Sequence, residues 1–221
     1  MEIYHEVQDG LLCGQHCLNN LLQAPFFSPI DLSDIAQELD LLEYQNMVGL
    51  NGEITNDTLQ YLKEGSGNVD ESGNFSIQVL KTALERSHGL ELISWGSIEG
   101  KNIEPSEENA FILNRQSHWL TLRKINERWW NLNSTLLKPE EITEFYLSAF
   151  LAQFREDGYS VFIVKGDIPS SSSRALGDGY GFWYKESTLL GKEETKSQEE
   201  LDLEEAIKMS LNAGKMLGGN K

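Results

Sequence analysis

Apolar residues repeat with a helical period in the first half of the chain and with a period of two through much of the second. Asp9 or Gly10 is placed to cap a helix from about Leu11 to Gln23, with Cys17, Leu18, Leu21 and Leu22 as its apolar stripe and Ala24-Pro25 as its stop. Ser28 caps a second helix with Pro29 at its first position. Leu32, Ile35, Ala36 and Leu39 are its buried stripe, and it extends to about Met47. Val48 to Asn56 reads as a turn, Asp57 to Lys63 as a short helix and Gly65 to Gly73 as a loop. Ser76 caps a further helix carrying Ile77, Leu80, Ala83 and Leu84 on one side, and Gly89 stops it. The spacing then predicts strands over Leu90–Trp95, Ala110–Asn114, Trp119–Ile125, Trp129–Asn133 and Tyr159–Val164, interrupted by a helix over Glu140–Glu156 that ends at Gly158. Helices followed by a mostly antiparallel sheet predict an α+β domain ending near Asp167.

Beyond Pro169 the composition changes. Residues 1–168 are read as one domain, 169–196 as a Ser- and Gly-rich flexible linker, 197–214 as a helix and 215–221 as a tail. The aromatic group Tyr180, Phe182, Trp183 and Tyr184 is out of character for a linker, and docking on the domain is one outcome for it. In the tail helix Ser197 and Glu200 make a capping box, Glu199, Glu200 and Asp202 suit the positive helix end, and Leu203, Ala206, Ile207 and Ser210 share a face. A helix this short needs a partner to be stable.

The 221 residues carry a net charge of −17, which argues against nucleic acid and anionic membrane as partners. Two cysteines make no disulfide framework, the opening Met1-Glu2-Ile3-Tyr4-His5 has no signal-peptide pattern, and no apolar run reaches membrane length. A reducing compartment is expected, where a free thiol persists.

Cys13 sits where the first helix begins, a position that favours a thiolate, and Gln8 precedes it by five residues. The plain alternative is that Cys13 and Cys17 are small buried apolar residues. A nucleophilic thiol needs a base and a group to orient that base. His16 shares a helix with Cys13, but side-chain direction there leaves little room for a substrate. His5 and His88 read as surface polar residues. His118 opens a strand, and a tight turn at Asn126-Glu127 pairs Ile125 with Arg128, which sets His118 and Asn133 on one face at a Cβ distance of roughly 7 Å or less. Asn133 could then orient His118; Asp167 and the acids of the loop are alternatives without a spacing argument. The Gln8 amide and the Cys13 N–H could together stabilise an oxyanion.

Gln8, Cys13 and Gln15-His16-Cys17-Leu18-Asn19-Asn20-Leu21-Leu22 resemble the Josephin family of deubiquitinating cysteine proteases, as do Phe27-Ser28-Pro29, Phe75-Ser76-Ile77-Gln78-Val79, His118-Trp119, Trp130-Asn131-Leu132-Asn133-Ser134 and Gly158-Tyr159-Ser160. The resemblance covers nearly all of residues 1–168. It implies a papain-like fold with a helical-hairpin arm, Cys13 as nucleophile, His118 as base, Asn133 as orienter and Gln8 in the oxyanion hole, with no metal or organic cofactor. It implies ubiquitin and polyubiquitin as partners, held through Phe26, Phe27 and Ile77, although a family tryptophan is replaced by Ser87-His88. The tail is similar to a ubiquitin-interacting motif through Leu203, Ala206, Ile207 and Ser210, with Ala213 in place of the usual acid. Family members are nuclear and cytoplasmic and bind proteasome shuttle factors and a segregase ATPase; the basic segment that holds the ATPase is not recognisable in this chain. The expected activity is that of a ubiquitinyl hydrolase. The rivals are a catalytically weak ubiquitin-binding adaptor and a metal or redox protein using Cys13, His16 and Cys17.

Overall fold

One helix has all of its residues buried, and the rest of the domain is packed around it. The computed structural model describes residues 1–8, 10–48, 56–97, 103–169 and 181–191. A strand, β1 (Glu2–Glu6), leads into that buried helix, α1 (Cys13–Leu22). Then come α2 (Pro29–Val48), α3 (Asn56–Glu64) and α4 (Ile77–His88). The sheet strands β2 (Glu91–Ser94), β3 (Ala110–Arg115), β4 (His118–Ile125), β5 (Arg128–Asn131) and β6 (Glu140–Ile142) follow. Next are α5 (Glu144–Glu156), β7 (Ser160–Lys165), β8 (Gly181–Lys185) and a last turn of helix, α6 (Glu186–Leu189). The architecture is the expected α+β one. Six strands pair antiparallel in the order β2-β7-β3-β4-β5-β6, and β1 pairs with β8 in a separate two-stranded sheet.

Alternation along the strands sends residues to two cores. On one face Ala110, Ile112, Trp119 and Val164 pack with Leu18 and Leu21 of α1 and Leu80 and Leu84 of α4. On the other face Phe111, Leu113, Leu120, Leu122 and Trp129 pack with Leu147 and Leu151 of α5. The sheet is thus a layer between two helical layers. The arm of α2 and α3 projects from the first, and Tyr61 of α3 donates its hydroxyl to the Glu43 carboxylate of α2 at 3.1 Å.

The caps follow local chemistry. Ser28 accepts the Asp31 N–H while Asp31 accepts the Ser28 N–H, which fixes the start of α2. Ser76 accepts the Val79 N–H, and Gly89 closes α4 in the left-handed region at φ 63°. The β4–β5 hairpin has the expected register, Ile125 opposite Arg128, and its two turn residues Asn126 and Glu127 have φ of 52° and 60°, the geometry of a type I′ turn.

Four expectations need correction. Helix α1 starts at Cys13, with Leu12 at the capping position and no side-chain cap, rather than at Leu11 under Gly10; Asp9 lies outside the described residues. The helix expected from Glu140 begins at Glu144, because residues 140–142 add a strand to the sheet edge at β5. Strand β5 ends at Asn131 instead of Asn133, since the chain turns where Asn131 Oδ1 accepts the Asn133 N–H. Within the expected linker, residues 181–189 are strand β8 and helix α6, so Phe182, Trp183 and Tyr184 of the aromatic group dock, against the unforeseen β1, while Tyr180 lies outside the described residues. The expected turn at 49–55 and the tail helix, with Leu203, Ala206, Ile207 and Ser210, lie outside the described residues.

The docking of β8 depends on a missing side chain. The Tyr4 ring lies directly on the backbone of Gly181, so that a Cβ built there would stand 2.1 Å from Tyr4 Cζ. Tyr4 cannot yield, because its hydroxyl donates to buried Glu6 at 2.6 Å, and Trp183 packs against its ring at 5.3 Å between centroids. Gly181→Ala should therefore destabilise the fold by about 2 kcal/mol, as overpacking does. Thermal unfolding of the variant reads this directly; an unchanged midpoint would mean that β8 does not hold this position.

Candidate active site

Helix α1 lies along β4, and the two repeats match. Four helical residues rise about 6 Å, and two strand residues about 6.6 Å. The matching is visible as cross-links at three levels. At the first level the Cys13 thiol donates to the Ser117 carbonyl at 3.2 Å, and the Trp119 N–H also faces the sulfur. At the second, the Thr121 hydroxyl donates to the Cys17 carbonyl at 2.8 Å and accepts from the Cys17 thiol at 3.0 Å. At the third, Arg123 donates to the Leu21 carbonyl at the other end of the helix and to the Pro169 carbonyl. Burial lowers the Arg123 guanidinium to about 10, which leaves it charged at neutral pH. This register sets the first residue of α1 against the first residues of β4, and His118 is the residue between the two backbone groups that hold the thiol.

The thiol itself is buried, at 2% exposure, and its pKa is raised. Burial is the main cause, and the Asp70 carboxylate adds to it. The N–H groups of Trp119, Gly14 and Cys13 act in the opposite direction but do not prevail. The start of a helix is therefore not enough by itself to arm Cys13, and the base and its orienter are needed as well. In the structure the sulfur donates to the Ser117 carbonyl.

His118 and Asn133 meet just beyond the paired part of the hairpin, whose ladder ends at Leu122–Asn131. His118 Nε2 lies 2.9 Å from Asn133 Oδ1. The Thr135 N–H donates to that same Oδ1 at 3.1 Å, which identifies the atom as the amide oxygen, since an NH2 group would not accept. Nε2 therefore carries the proton in a neutral ring, and Nδ1 holds the free lone pair that a general base needs. Gln8 is fixed from the same segment. Its N–H donates to the Ser134 carbonyl at 2.8 Å, its Oε1 accepts from the Ser134 hydroxyl at 2.9 Å, and its Nε2 donates to the Gly10 carbonyl at 3.2 Å. The arrangement supplies a thiol, a correctly tautomeric imidazole and orphan donors at a helix start, the elements of acyl transfer through a thioester.

The other histidines fall away as bases. His16 is buried, and its Nδ1 lies 2.6 Å from Glu6 Oε2. His5, expected at the surface, is also buried, with Nε2 at 2.9 Å from the Leu136 carbonyl and a pKa lowered chiefly by burial. His88 is half-buried on α4, where Phe26 meets it edge to face at 4.8 Å. Of the three residues carried over as ubiquitin contacts, Phe26 is 48% exposed, Ile77 lines a groove with Gln78, Lys81 and Phe162, and Phe27 is packed into the core. Sequence reasoning missed Ser117 and Ser134. The first contributes only a carbonyl and has no side-chain signature. The second could have been found by asking what aims Gln8, since it follows Asn133 directly.

Because the Cys13 pKa is raised, its alkylation by iodoacetamide should be slow at pH 7 and climb with pH, with a midpoint above the ordinary value of about 8.5. Cys17 is pushed up to about 12 by burial, and it should not react in the folded protein. The sign for stability follows. An unfolded thiol ionises first, so both groups withdraw stability as pH rises from the ordinary thiol value toward the folded one. Mass spectrometry of the alkylated protein across pH 6 to 10 checks both the profile and the single site; a Cys13 midpoint below that of free cysteine would contradict it.

The Josephin family model matches residues 8–165. The chain is similar to human ataxin-3, 49% identical over 176 residues, which is 79% of this chain and 48% of that protein. It is similar to chicken ataxin-3 at 43% over 216 residues, 94% of this chain and 59% of the relative. An ataxin-3 homolog of Arabidopsis thaliana is 42% identical over 190 residues, 82% of this chain and 66% of the relative. The chain thus spans about half the length of the mammalian relatives it matches. With a match over most of its length and with Cys13, His118, Asn133 and Gln8 at the places described above, the chain belongs to the Josephin family of deubiquitinating cysteine proteases.

Proposed function

We propose that this protein is a ubiquitinyl hydrolase that cleaves the isopeptide bond between the C-terminus of ubiquitin and a lysine amine. The observation that carries the reading is the His118 Nε2–Asn133 Oδ1 bond, made by the residue that lies between the two backbone groups holding the Cys13 thiol. When substrate binds, Cys13 gives up its bond to Ser117 and His118 Nδ1 takes the thiol proton. The sulfur attacks the scissile carbonyl, and the oxyanion is met by Gln8 Nε2–H and the Cys13 N–H at the start of α1. The tetrahedral intermediate expels the lysine amine, which receives the proton from His118. Water, deprotonated by His118, then attacks the thioester, ubiquitin leaves as a carboxylic acid, and the proton returns to sulfur.

Phe26 and Ile77 are the exposed or half-buried apolar positions offered to ubiquitin, whereas Phe27 anchors the root of the arm. The tail helix, with Leu203, Ala206, Ile207 and Ser210, is assigned a second ubiquitin of a chain, which raises local substrate concentration without new contacts at the active site. A nuclear and cytoplasmic location and shuttle-factor partners belong to the same proposal.

The test uses a fluorophore amide on the ubiquitin C-terminus. Wild-type protein should release the fluorophore and form one adduct with a vinyl-type ubiquitin probe. Cys13→Ala should do neither while still binding ubiquitin. Asn133→Ala should lower kcat at least about tenfold with little change in KM, because it acts on the base and not on substrate contacts. Adduct formation on Cys17, or no turnover by wild type, would overturn the reading. Removal of residues 192–221 should leave fluorophore release intact and weaken retention of polyubiquitin.

A further inference from the structure

We infer that Ser134 is a positioning residue for the oxyanion donor, acting through Gln8 and not on substrate. The inference rests on the hydrolase reading above and adds a residue to its machinery. Three atoms establish it. A carbonyl oxygen only accepts, so the contact of Gln8 with the Gly10 carbonyl identifies that end of the side chain as NH2. The other end, facing Ser134, is then Oε1, and the Ser134 hydroxyl must be the donor across 2.9 Å. The main chain runs the same contact in reverse, with the Gln8 N–H on the Ser134 carbonyl at 2.8 Å.

This double contact removes the freedom that would make Gln8 a poor catalytic donor. A glutamine has three side-chain torsions, and its amide can turn end for end. With Oε1 held by a hydroxyl, the flipped amide would set NH2 against Ser134 and turn a carbonyl oxygen toward the developing oxyanion. Ser134 is itself held rigidly, at 1% exposure, so its donor is not diluted by water. In the structure Gln8 Nε2 spends one hydrogen on Gly10 at the long distance of 3.2 Å, and the second hydrogen of that NH2 remains for the oxyanion. The neighbouring residue does the equivalent task for the base: Asn133 Oδ1 aims His118. One dipeptide, Asn133-Ser134, therefore sets both the proton acceptor and the oxyanion donor, and any displacement of that turn would disturb both together.

The experiment compares Ser134→Ala, Gln8→Ala and the double variant with wild type in the ubiquitin fluorophore assay, together with iodoacetamide alkylation of Cys13. Alkylation displaces iodide and develops no oxyanion, so it reports thiol and base without Gln8. Ser134→Ala should lower kcat about tenfold, leave KM within twofold and leave the alkylation rate and its pH profile unchanged. In the Gln8→Ala background the same change should cost nothing further. Ser134→Thr, which keeps the hydroxyl, should restore most of the lost rate, and thermal unfolding of each variant separates misfolding from mispositioning. Full activity of Ser134→Ala, a loss that multiplies with that of Gln8→Ala, or an equal fall in alkylation would each overturn the role while leaving the hydrolase assignment standing. A wild-type protein that releases no fluorophore overturns the hydrolase reading and this role with it.

Discussion

The alignment of α1 with β4 is the constraint on which the site depends. The proposed nucleophile and base, Cys13 and His118, come from segments more than a hundred residues apart, and nothing local in either sequence brings them together. Matching rises do so, because a helix that advances four residues for every two of the strand stays in step along its whole length. Thr121 and Arg123 fix this step with polar bonds to Cys17 and Leu21, and Trp119 fixes its level by donating to the Phe75 carbonyl at 3.0 Å. A slip of one residue would point Thr121 away from α1 and break both of its bonds to Cys17, so those bonds hold the register.

A second constraint comes from the opposite side of α1. Glu6 is fully buried on β1, yet its carboxylate is satisfied from three directions, by Tyr4 at 2.6 Å, His16 at 2.6 Å and Asn19 at 3.0 Å. Asn20 and Gln23 complete the seam with bonds to the β1 backbone. Such a network contributes little net stability over a well-packed apolar seam, but removing one partner leaves a buried charge at a cost of about 3–5 kcal/mol. What it adds is direction. An apolar seam would let α1 roll or slide, whereas Glu6, Asn19 and Asn20 accept one orientation of the helix. The same seam carries the strap of β8, since the Tyr4 hydroxyl that bonds Glu6 belongs to the ring lying on Gly181.

Much of this was legible in the sequence, for identifiable reasons. The helix caps Ser28, Ser76 and Gly89 and the Asn126-Glu127 turn are local chemistry, and each stands where its residue type requires. The tight turn set the register of Ile125 to Leu122 against Arg128 to Asn131, and the His118–Asn133 contact was expected although the chain turns out of the ladder before Asn133. What was not legible depends on tertiary partners. His16, Asn19 and Asn20 look like a solvent face, and bonds to Glu6 of β1 make their burial tolerable. Residues 140–142 have helical neighbours on one side and a sheet edge on the other, and pairing with β5 decides the matter. The strap of residues 181–185 follows a Ser- and Gly-rich stretch, and composition there says nothing of the strand waiting at the other end of the chain.

The neutral resting thiol follows from the same burial that makes the site useful. Taking Cys13 to 2% exposure disfavours the thiolate, and among the described residues the N–H groups that oppose this do not prevail. The environment that withholds the negative charge from sulfur also strengthens every donor that will meet charge later, since hydrogen bonds to an anion gain as water is excluded. A thiolate formed in advance would spend those donors on the ground state: the N–H groups of Cys13 and Gly14 already lean on the sulfur. Holding the proton on sulfur, with Ser117 as acceptor, keeps them for the oxygen of the tetrahedral intermediate. In the proposed mechanism charge then appears only when His118 takes the proton, at the moment when the carbonyl is in place to receive the sulfur, so reactivity is tied to a correctly seated acyl group.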